Sequence, residues 1–250
     1  MKELPTLLRA LSLSAAARKS EELTLQAGRE GWSHEQYLRV LCELELDQRA
    51  QRRSERLVRE SHLPGGKTLA TLDQERLPVK LRRQLPSLLE GRFVGEAGNI
   101  LAFGLPGRGK THLLCAIAHE LILRQGCKVL FMPAVRLVQQ LLIAKRDLKL
   151  ESCLRKLDAF DVVLLDDIGY IQQSREEMEV LFTFLSERYE RKSLMISSNL
   201  LFSEWDKIFK DPMTTAAAID RVVHHSTILE LDGDSYRMQA AKKQKLKGGD

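Results

Sequence analysis

A glycine-rich segment at residues 104–111 has the composition and the spacing of a phosphate-binding loop. It reads GLPGRGKT, fits the pattern G-x-x-x-x-G-K-[ST], and lies between a predicted strand and a predicted helix. Such glycines let several backbone N–H groups converge on a phosphate, and the helix N-terminus adds the favourable end of its dipole. Lys110 would contact the β- and γ-oxygens, and the Thr111 hydroxyl could ligate Mg²⁺. We expect ATP to be bound by Gly104, Leu105, Pro106, Gly107, Arg108, Gly109, Lys110 and Thr111.

Two more predicted strands end in polar residues. The apolar run at 162–165 is followed by Asp166 and Asp167, and the strand at 193–197 is followed closely by Asn199. Ligands of open α/β sheets sit at the carboxyl ends of the strands, so these side chains are candidates for the same site. We expect Asp166 to hold Mg²⁺ through its water shell, Asp167 to polarise an attacking water, and Asn199 to hydrogen-bond both the γ-phosphate and that water. Ordinary turn residues that close a strand remain the alternative at each position.

The elements that must position these residues alternate between strand and helix from residue 99 onward. Strands alternating with helices imply a parallel sheet with helices on both faces. The predicted strands cover 99–103, 128–132, 161–165, 193–197 and 227–231, and the predicted helices lie near 110–125, 134–145, 174–191 and 203–210.

The first part of the chain has a different pattern. Leucines recur at helical spacing over residues 1–63, and Ser33 followed by Gln36 is typical of a helix N-cap. The sequence PGGK at 64–67 then breaks the pattern and reads as a linker. We therefore expect a small helical domain over 1–63, an ATPase domain over 67–240 and a basic tail over 241–250.

The composition excludes several classes of protein. Of the 250 residues, 44% are apolar and 29% are charged, which is ordinary for a globular chain and argues against wholesale disorder. No run of apolar residues is long enough to span a bilayer, and the N-terminus reads as an amphipathic helix rather than a signal peptide, so we expect a cytoplasmic protein. The four cysteines are far apart and form no C-x-x-C pair, which disfavours a zinc site or a disulfide framework.

Five segments together resemble the IstB family. These are GLPGRGKT, VVLLDDIGY, SREEMEVLFTFLSERYERKS, SSNLLFSEW and AIDRVVHHSTILELDGDSYR. The family comprises ATP-binding helpers of IstA-type insertion-sequence transposases, and it is similar to the DnaC-type helicase loaders of the AAA+ superfamily. The resemblance covers residues 67–240 strongly and the helical N-terminal region more weakly.

The resemblance implies further features of the fold and of the site. The expected fold is an AAA+ P-loop sheet of order 5-1-4-3-2, in which the strand before Asn199 lies between the other two strands of the site. Arg221 takes the role of an arginine finger supplied by a neighbouring subunit, with an ordinary surface arginine as the alternative. Arg237 resembles a second phosphate-sensing position, and the 13 residues after it imply a reduced or absent helical lid.

Contacts with DNA would be made by basic side chains on phosphates and would be independent of sequence. The arginines near residue 50 share a helix face, although a solvated face explains them equally well. The basic loop at 145–149 could line the central channel of a ring or a helical filament. The candidates are Arg49, Arg52, Arg53, Arg56, Arg59, Lys80, Arg82, Arg83, Lys145, Arg146 and Lys149.

We favour an Mg²⁺-dependent ATPase that assembles as a homo-oligomer on target duplex DNA and recruits or stimulates a transposase of the IstA type. Hydrolysis would time assembly and release. A replicative helicase loader that binds helicase subunits and single-stranded DNA is the main alternative. A small-molecule kinase would need a lid with arginines, in place of the long amphipathic helix predicted at 174–191. A scaffold that binds nucleotide without hydrolysis is disfavoured by Asp167 and Asn199.

Overall fold

Every strand described in the computed structural model lies in one parallel sheet. The structure describes residues 3–170, 174–205, 208 and 211–232. The strand order is β2-β3-β4-β1-β5, which is the expected 5-1-4-3-2 order read from the opposite edge. The bounds lie within one residue of the predicted ones: β1 (Asn99–Phe103), β2 (Val129–Pro133), β3 (Val162–Asp166), β4 (Ser193–Ser198) and β5 (Ser226–Glu230).

Helices cover both faces of this sheet, as predicted. Successive side chains of a strand point to opposite faces, and those of β1 accordingly enter two different hydrophobic cores. Leu101 and Phe103 pack with α7, α9 and α10, whereas Ile100 and Ala102 pack with α4 and α6. These helices are α4 (Val79–Glu90), α6 (Lys110–Gln125), α7 (Ala134–Arg146), α9 (Arg175–Arg188) and α10 (Pro212–Val223), with the short α5 (Arg92–Gly95) and α8 (Leu150–Asp158) between them.

The helices differ from the predicted ones in several places. Helices α4, α5, α8 and α10 lie in stretches where no helix was predicted, and α4 is a helix despite the internal Pro86. Helix α9 ends at Arg188 rather than at 191, because Tyr189 has a non-helical ψ of 128° and Glu190 then adopts a left-handed φ of 54°. Of the helix predicted at 203–210, the structure describes a 3₁₀ turn at Phe202–Glu204, and four of the positions after it lie outside the described residues.

The N-terminal region is helical, as predicted. It contains α1 (Leu4–Ala10), α2 (Ser14–Glu30) and α3 (His34–Glu60). The Gln36 N–H donates to Ser33 Oγ over 3.1 Å, so Ser33 caps α3 as the sequence indicates. The described residues divide into two compact units, of which the first ends at Arg56 and the second begins at Leu57. The domain boundaries expected at residues 63, 67 and 240 stay predictions.

Glu45 of α3 holds the start of α2 in the first unit. This side chain is only 5% exposed, and its Oε2 accepts hydrogen bonds from Ala15 N at 2.7 Å and Ala16 N at 3.3 Å. Its Oε1 accepts from Arg49 Nε at 3.0 Å. Burial by itself would raise the pKa of Glu45, but the hydrogen bonds from these backbone amides and from Arg49 hold the pKa below its usual value.

All four cysteines are free thiols. Cys115 and Cys127 are buried, whereas Cys42 is exposed. Burial raises the pKa of the Cys115 thiol to about 12, so this side chain behaves as a small apolar group in the core. No helix among the described residues combines the length and the apolar character needed to cross a membrane.

Candidate nucleotide-binding site

The loop between β1 and α6 has a backbone that glycine alone adopts easily. Gly104, Gly107 and Gly109 have φ angles of 148°, 83° and 89°, in the region that disfavours side chains. A Cβ on Gly104 would also lie 2.5 Å from the carbonyl oxygen of Leu231. Because Gly109 is the N-cap of α6, the loop leads directly into the N-terminus of a 16-residue helix. This conformation could place several backbone N–H groups around a phosphate at the start of α6.

Lys110 is buried in the curve of this loop. It is 5% exposed, and its Nζ donates to the carbonyl oxygens of Gly104 at 2.7 Å and Leu105 at 3.2 Å. A buried ammonium group is stable only where hydrogen bonds replace its hydration. The loop supplies those acceptors, and it thereby holds a positive charge at the start of α6.

A chain of hydrogen bonds joins α6, β3 and β4 beside the loop. Thr111 Oγ1 donates to Asp166 Oδ1 at 2.7 Å, and Ser197 Oγ donates to the same oxygen at 2.6 Å. Ser197 Oγ also accepts the N–H of Asp167 at 2.8 Å. Hydroxyl and carboxylate oxygens are the ligands that Mg²⁺ prefers, so Thr111 and Asp166 could hold this ion. The structure brings these two predicted metal ligands together.

Ser197 was not predicted as part of the site. It belongs to β4, where every residue is buried, and a serine in such a strand reads as a tolerated small residue. The signal that could have revealed it is its position close to the carboxyl end of β4, next to the strand that carries Asp166.

Asp167 and Asn199 lie at the same edge of the sheet as Asp166. Asp167 has a φ of 56°, a left-handed conformation that aspartate tolerates better than most residues. The Asn199 Oδ1 atom is buried and has no hydrogen-bond partner among the described residues. It lies so close to Gly169 that a Cβ there would clash with it. A buried amide oxygen without a donor is unfavourable, which fits a group that acquires a partner in a complex.

A cavity of about 380 Å³ adjoins the loop and extends beyond the predicted residues. Pockets for small ligands begin near ~300 Å³, so the space is sufficient for part of a nucleotide. It is lined by Lys67, Thr71, Leu72, Asp73, Arg76, Leu77, the loop residues 106–111, His112 and Asp167.

His112 of α6 forms hydrogen bonds with the segment before α4. Its Nε2 lies 3.0 Å from Thr71 Oγ1 and 3.3 Å from the Thr68 carbonyl oxygen. A carbonyl can only accept, so the bond to Thr68 requires the proton on Nε2. Sequence reasoning missed both His112 and the segment 67–77, because neither follows a recognised pattern.

Comparison with known proteins identifies the family. The family model described as "IstB-like ATP binding protein" matches residues 6–244. The chain belongs to this family. An insertion-sequence ATP-binding protein of Sinorhizobium fredii is 45% identical to this IstB-like chain over 225 residues, which is 90% of the chain and 75% of the relative. The ATP-binding protein of insertion sequence IS21 from Pseudomonas aeruginosa is 36% identical over 246 residues, 97% of the chain and 91% of the relative. The predicted resemblance is confirmed.

Solved structures confirm the fold of the IstB-like chain. The crystal structure of DnaI matches with a TM-score of 0.56 and 22% identity, over 68% of this chain and 95% of that one. AMPPCP-bound DnaA from Aquifex aeolicus matches with a TM-score of 0.55 and 18% identity, over 74% of this chain and 56% of that one. At these identities the likeness shows the fold alone, which is that of the AAA+ P-loop proteins.

Arg221 lies outside the cavity of its own chain. It is on α10, where its Nη1 donates to the Ala217 carbonyl at 3.0 Å and its Cζ lies 4.9 Å from the centroid of the Phe182 ring. The guanidinium is thus held in place by its own helix and by a cation–π contact with α9. Arg237, the other predicted phosphate-sensing arginine, lies outside the described residues.

The DNA-binding candidates lie on three helices and one turn. On α3, Arg49 Nη2 donates to the Ser12 carbonyl in the turn before α2 at 2.9 Å, and Arg52 Nη1 donates to Oγ of Ser14, the first residue of α2, at 3.2 Å. Lys145, near the end of α7, forms an ion pair of 2.8 Å with Glu179. The remaining candidates are exposed: Arg53, Arg56 and Arg59 on α3, Lys80, Arg82 and Arg83 on α4, Arg146 at the end of α7, and Lys149 in the turn after it.

Proposed function

We propose that this chain is a cytoplasmic Mg²⁺-dependent ATPase that assembles as a homo-oligomer on duplex DNA and assists a transposase of the IstA type. The observation that carries the proposal is the hydrogen-bonded set of Thr111, Asp166 and Ser197 beside the buried Lys110. Family membership supports ATP as the ligand. In this proposal the ATPase domain covers residues 67–240, and the helical region 1–63 contacts DNA or the partner protein.

Binding of the triphosphate uses the loop and the cavity next to it. Backbone N–H groups of residues 104–111 and the N-terminus of α6 surround the phosphates. The Lys110 ammonium exchanges its carbonyl partners for phosphate oxygens, a charge-assisted bond that is stronger than the bond it replaces. The nucleoside lies toward the segment 67–77, which His112 holds against α6.

Thr111 and Asp166 would hold Mg²⁺, which when bound neutralises charge on the phosphate oxygens. The two hydroxyl groups that donate to Asp166 Oδ1 fix the orientation of this carboxylate before any ligand arrives. A preoriented ligand loses less conformational freedom on binding than a mobile one. Ser197 is therefore a positioning residue for Asp166.

Hydrolysis needs a base, a group that orients the attacking water, and a cationic group next to the γ-phosphate. Asp167 is proposed to accept a proton from the attacking water, and Asn199 to orient that water and the γ-phosphate. Asn199 Oδ1 has no hydrogen-bond partner in the part of the chain that the structure describes, which supports this role, since the water would supply the missing donor. Arg221 is proposed to reach the site of a neighbouring subunit, which is supported by its absence from the residues that line the cavity of its own chain.

The ATPase rate with duplex DNA, with single-stranded DNA and without DNA tests the proposal. We expect duplex DNA to stimulate hydrolysis most, because the exposed lysines and arginines contact phosphates of both strands without reading bases. Stimulation by single-stranded DNA alone would favour the helicase loader instead. Hydrolysis that is absent under every condition, or that survives unchanged in Lys110→Ala, would contradict the proposed ATPase.

A further inference from the structure

The turn after α7 carries the most exposed large apolar side chain among the described residues. Leu148 is 95% exposed, so its side chain buries almost no surface against the rest of the described fold. Apolar surface in contact with water is unfavourable. Single exposed leucines are nevertheless common, and the backbone of the turn is therefore the more informative observation.

Leu148 occupies a position that normally belongs to glycine. The N–H of Leu148 donates to the Lys145 carbonyl at 3.1 Å, and the N–H of Lys149 donates to the Ala144 carbonyl at 2.7 Å. This pair of bonds is the Schellman motif, in which the left-handed residue after the helix is usually glycine. Leu148 is that residue, with a φ of 56°. A leucine here is unfavourable because its backbone is left-handed and because its apolar side chain is exposed to water. No burial within the described fold compensates for either cost.

The surroundings of Leu148 are basic. Residues 145–149 carry three cations, at Lys145, Arg146 and Lys149, against one carboxylate at Asp147. Arg146 and Lys149 are exposed next to the leucine, whereas Lys145 is paired with Glu179. An apolar tip flanked by exposed positive charge fits a ligand that has an anionic surface and an apolar interior. Duplex DNA has this chemistry, because its phosphates are outside and its base faces are stacked inside.

We propose that Leu148 inserts between adjacent base pairs of bound duplex DNA while Arg146 and Lys149 contact the flanking phosphates. This inference rests on the proposed binding of duplex DNA and adds the residue that deforms it. Apolar wedges of this kind partially unstack a base step and kink the duplex. Pyrimidine–purine steps such as TA unstack most easily, so the chain would prefer flexible steps without forming hydrogen bonds to bases.

Fluorescence of 2-aminopurine placed at a TA step of a short duplex tests the insertion, since this base brightens when it is unstacked. With the full chain and a non-hydrolysable ATP analogue, we expect saturating protein to raise the fluorescence about twofold or more. Leu148→Gly and Leu148→Ala should remove this rise, and Leu148→Phe should retain it. Leu123→Ala is the matched control, because Leu123 is an exposed leucine on α6, at 47% exposure.

Two further measurements separate insertion from other causes. Leu148→Gly relieves the backbone conformation, so its thermal unfolding midpoint should not fall. Lys149→Ala should weaken duplex binding and reduce the slope of log K against log salt by about 1, yet leave the fluorescence rise at saturation.

Each contrary result has a distinct meaning. Duplex binding by the parent chain without a fluorescence rise, or a rise that persists in Leu148→Gly, would overturn the wedge and leave duplex binding intact. Failure of the parent chain to bind duplex DNA would overturn both proposals. If Leu148→Gly changes the oligomer size by light scattering without DNA, the leucine contacts a second copy of the chain and the wedge is wrong.

Discussion

Ser197 Oγ on β4 donates a hydrogen bond of 2.6 Å to Asp166 Oδ1 on β3. Ser197 Oγ also accepts a hydrogen bond from the N–H of Asp167, so a single hydroxyl connects both carboxylate residues at the end of β3. Because β3 and β4 are neighbouring parallel strands, the position of the carboxylates depends on the register between them. A serine buried in the sheet thus links strand pairing to the geometry of the proposed metal ligands.

Replacing Ser197 by alanine should raise the Mg²⁺ concentration needed for half-maximal ATPase activity by about 10-fold or more, since loss of a residue that orients a metal ligand typically weakens metal binding 10- to 100-fold. An Mg²⁺ titration of the steady-state rate measures the shift. Ser193→Ala is the matched control, because Ser193 is buried on the same strand and its Oγ has no partner among the described residues. Equal Mg²⁺ requirements in the two variants would remove Ser197 from the site.

Lys110→Ala should weaken binding of a fluorescent ATP analogue by about 10- to 100-fold, which corresponds to the ~1.5–3 kcal/mol of a hydrogen bond to a charged group. Binding of the nucleoside without phosphates should change little, because Lys110 lies in the loop and not in the adjoining part of the cavity. Arg124→Ala, which removes a cation from the other end of α6, serves as the control. Unchanged affinity for ATP in Lys110→Ala would contradict the phosphate loop.

The strands were predictable from the sequence because the central ones, β1, β3 and β4, are buried on both faces. A parallel strand covered by helices is an uninterrupted apolar run. The run VVLL at 162–165 therefore predicts where β3 lies in the sequence. The phosphate loop was predictable because its glycines are required by backbone conformation. Both features are local, so a single sequence contains them.

The missed features depend on contacts between distant parts of the chain. His112 meets Thr71 across 41 positions of sequence, and Ser197 meets Asp166 across 31. Neither contact follows from a repeat or a motif. Helix α8 escaped prediction because it has nine residues, and short helices depend on packing more than on intrinsic propensity.

Arg221→Ala should retain ATP binding and lower the rate of hydrolysis by about 10³-fold or more, the effect of removing an arginine finger. If the finger acts between subunits, mixing this variant with Asp167→Asn should restore part of the activity, because each supplies the group that the other lacks. No recovery in the mixture points to a role within one chain or to none. Phe182→Leu is the control for packing, since it removes the ring under the guanidinium and keeps the arginine.

The contribution of Glu45 to the stability of the first unit should depend on pH. The pKa of this carboxyl is lowered in the folded chain, so the ionised form stabilises the fold. The stabilisation is complete above the ordinary pKa of about 4.3 and is lost as the pH falls through the lower value of the folded state. Glu45→Ala should therefore lower the free energy of unfolding by about 1–3 kcal/mol at pH 7, because the Ala15 and Ala16 amides lose their acceptor.

Hydrogen–deuterium exchange of peptides from α2 measures this effect in the full chain, with parent and variant compared at the same pH. Exchange at residues 15 and 16 should be faster in Glu45→Ala than in the parent at pH 7, and the difference should shrink well below pH 4.3 as the parent carboxyl is protonated. Glu43→Ala is the matched control, because Glu43 is exposed on the same helix. A difference that is constant over this range would show that Glu45 acts through packing and not through its charge.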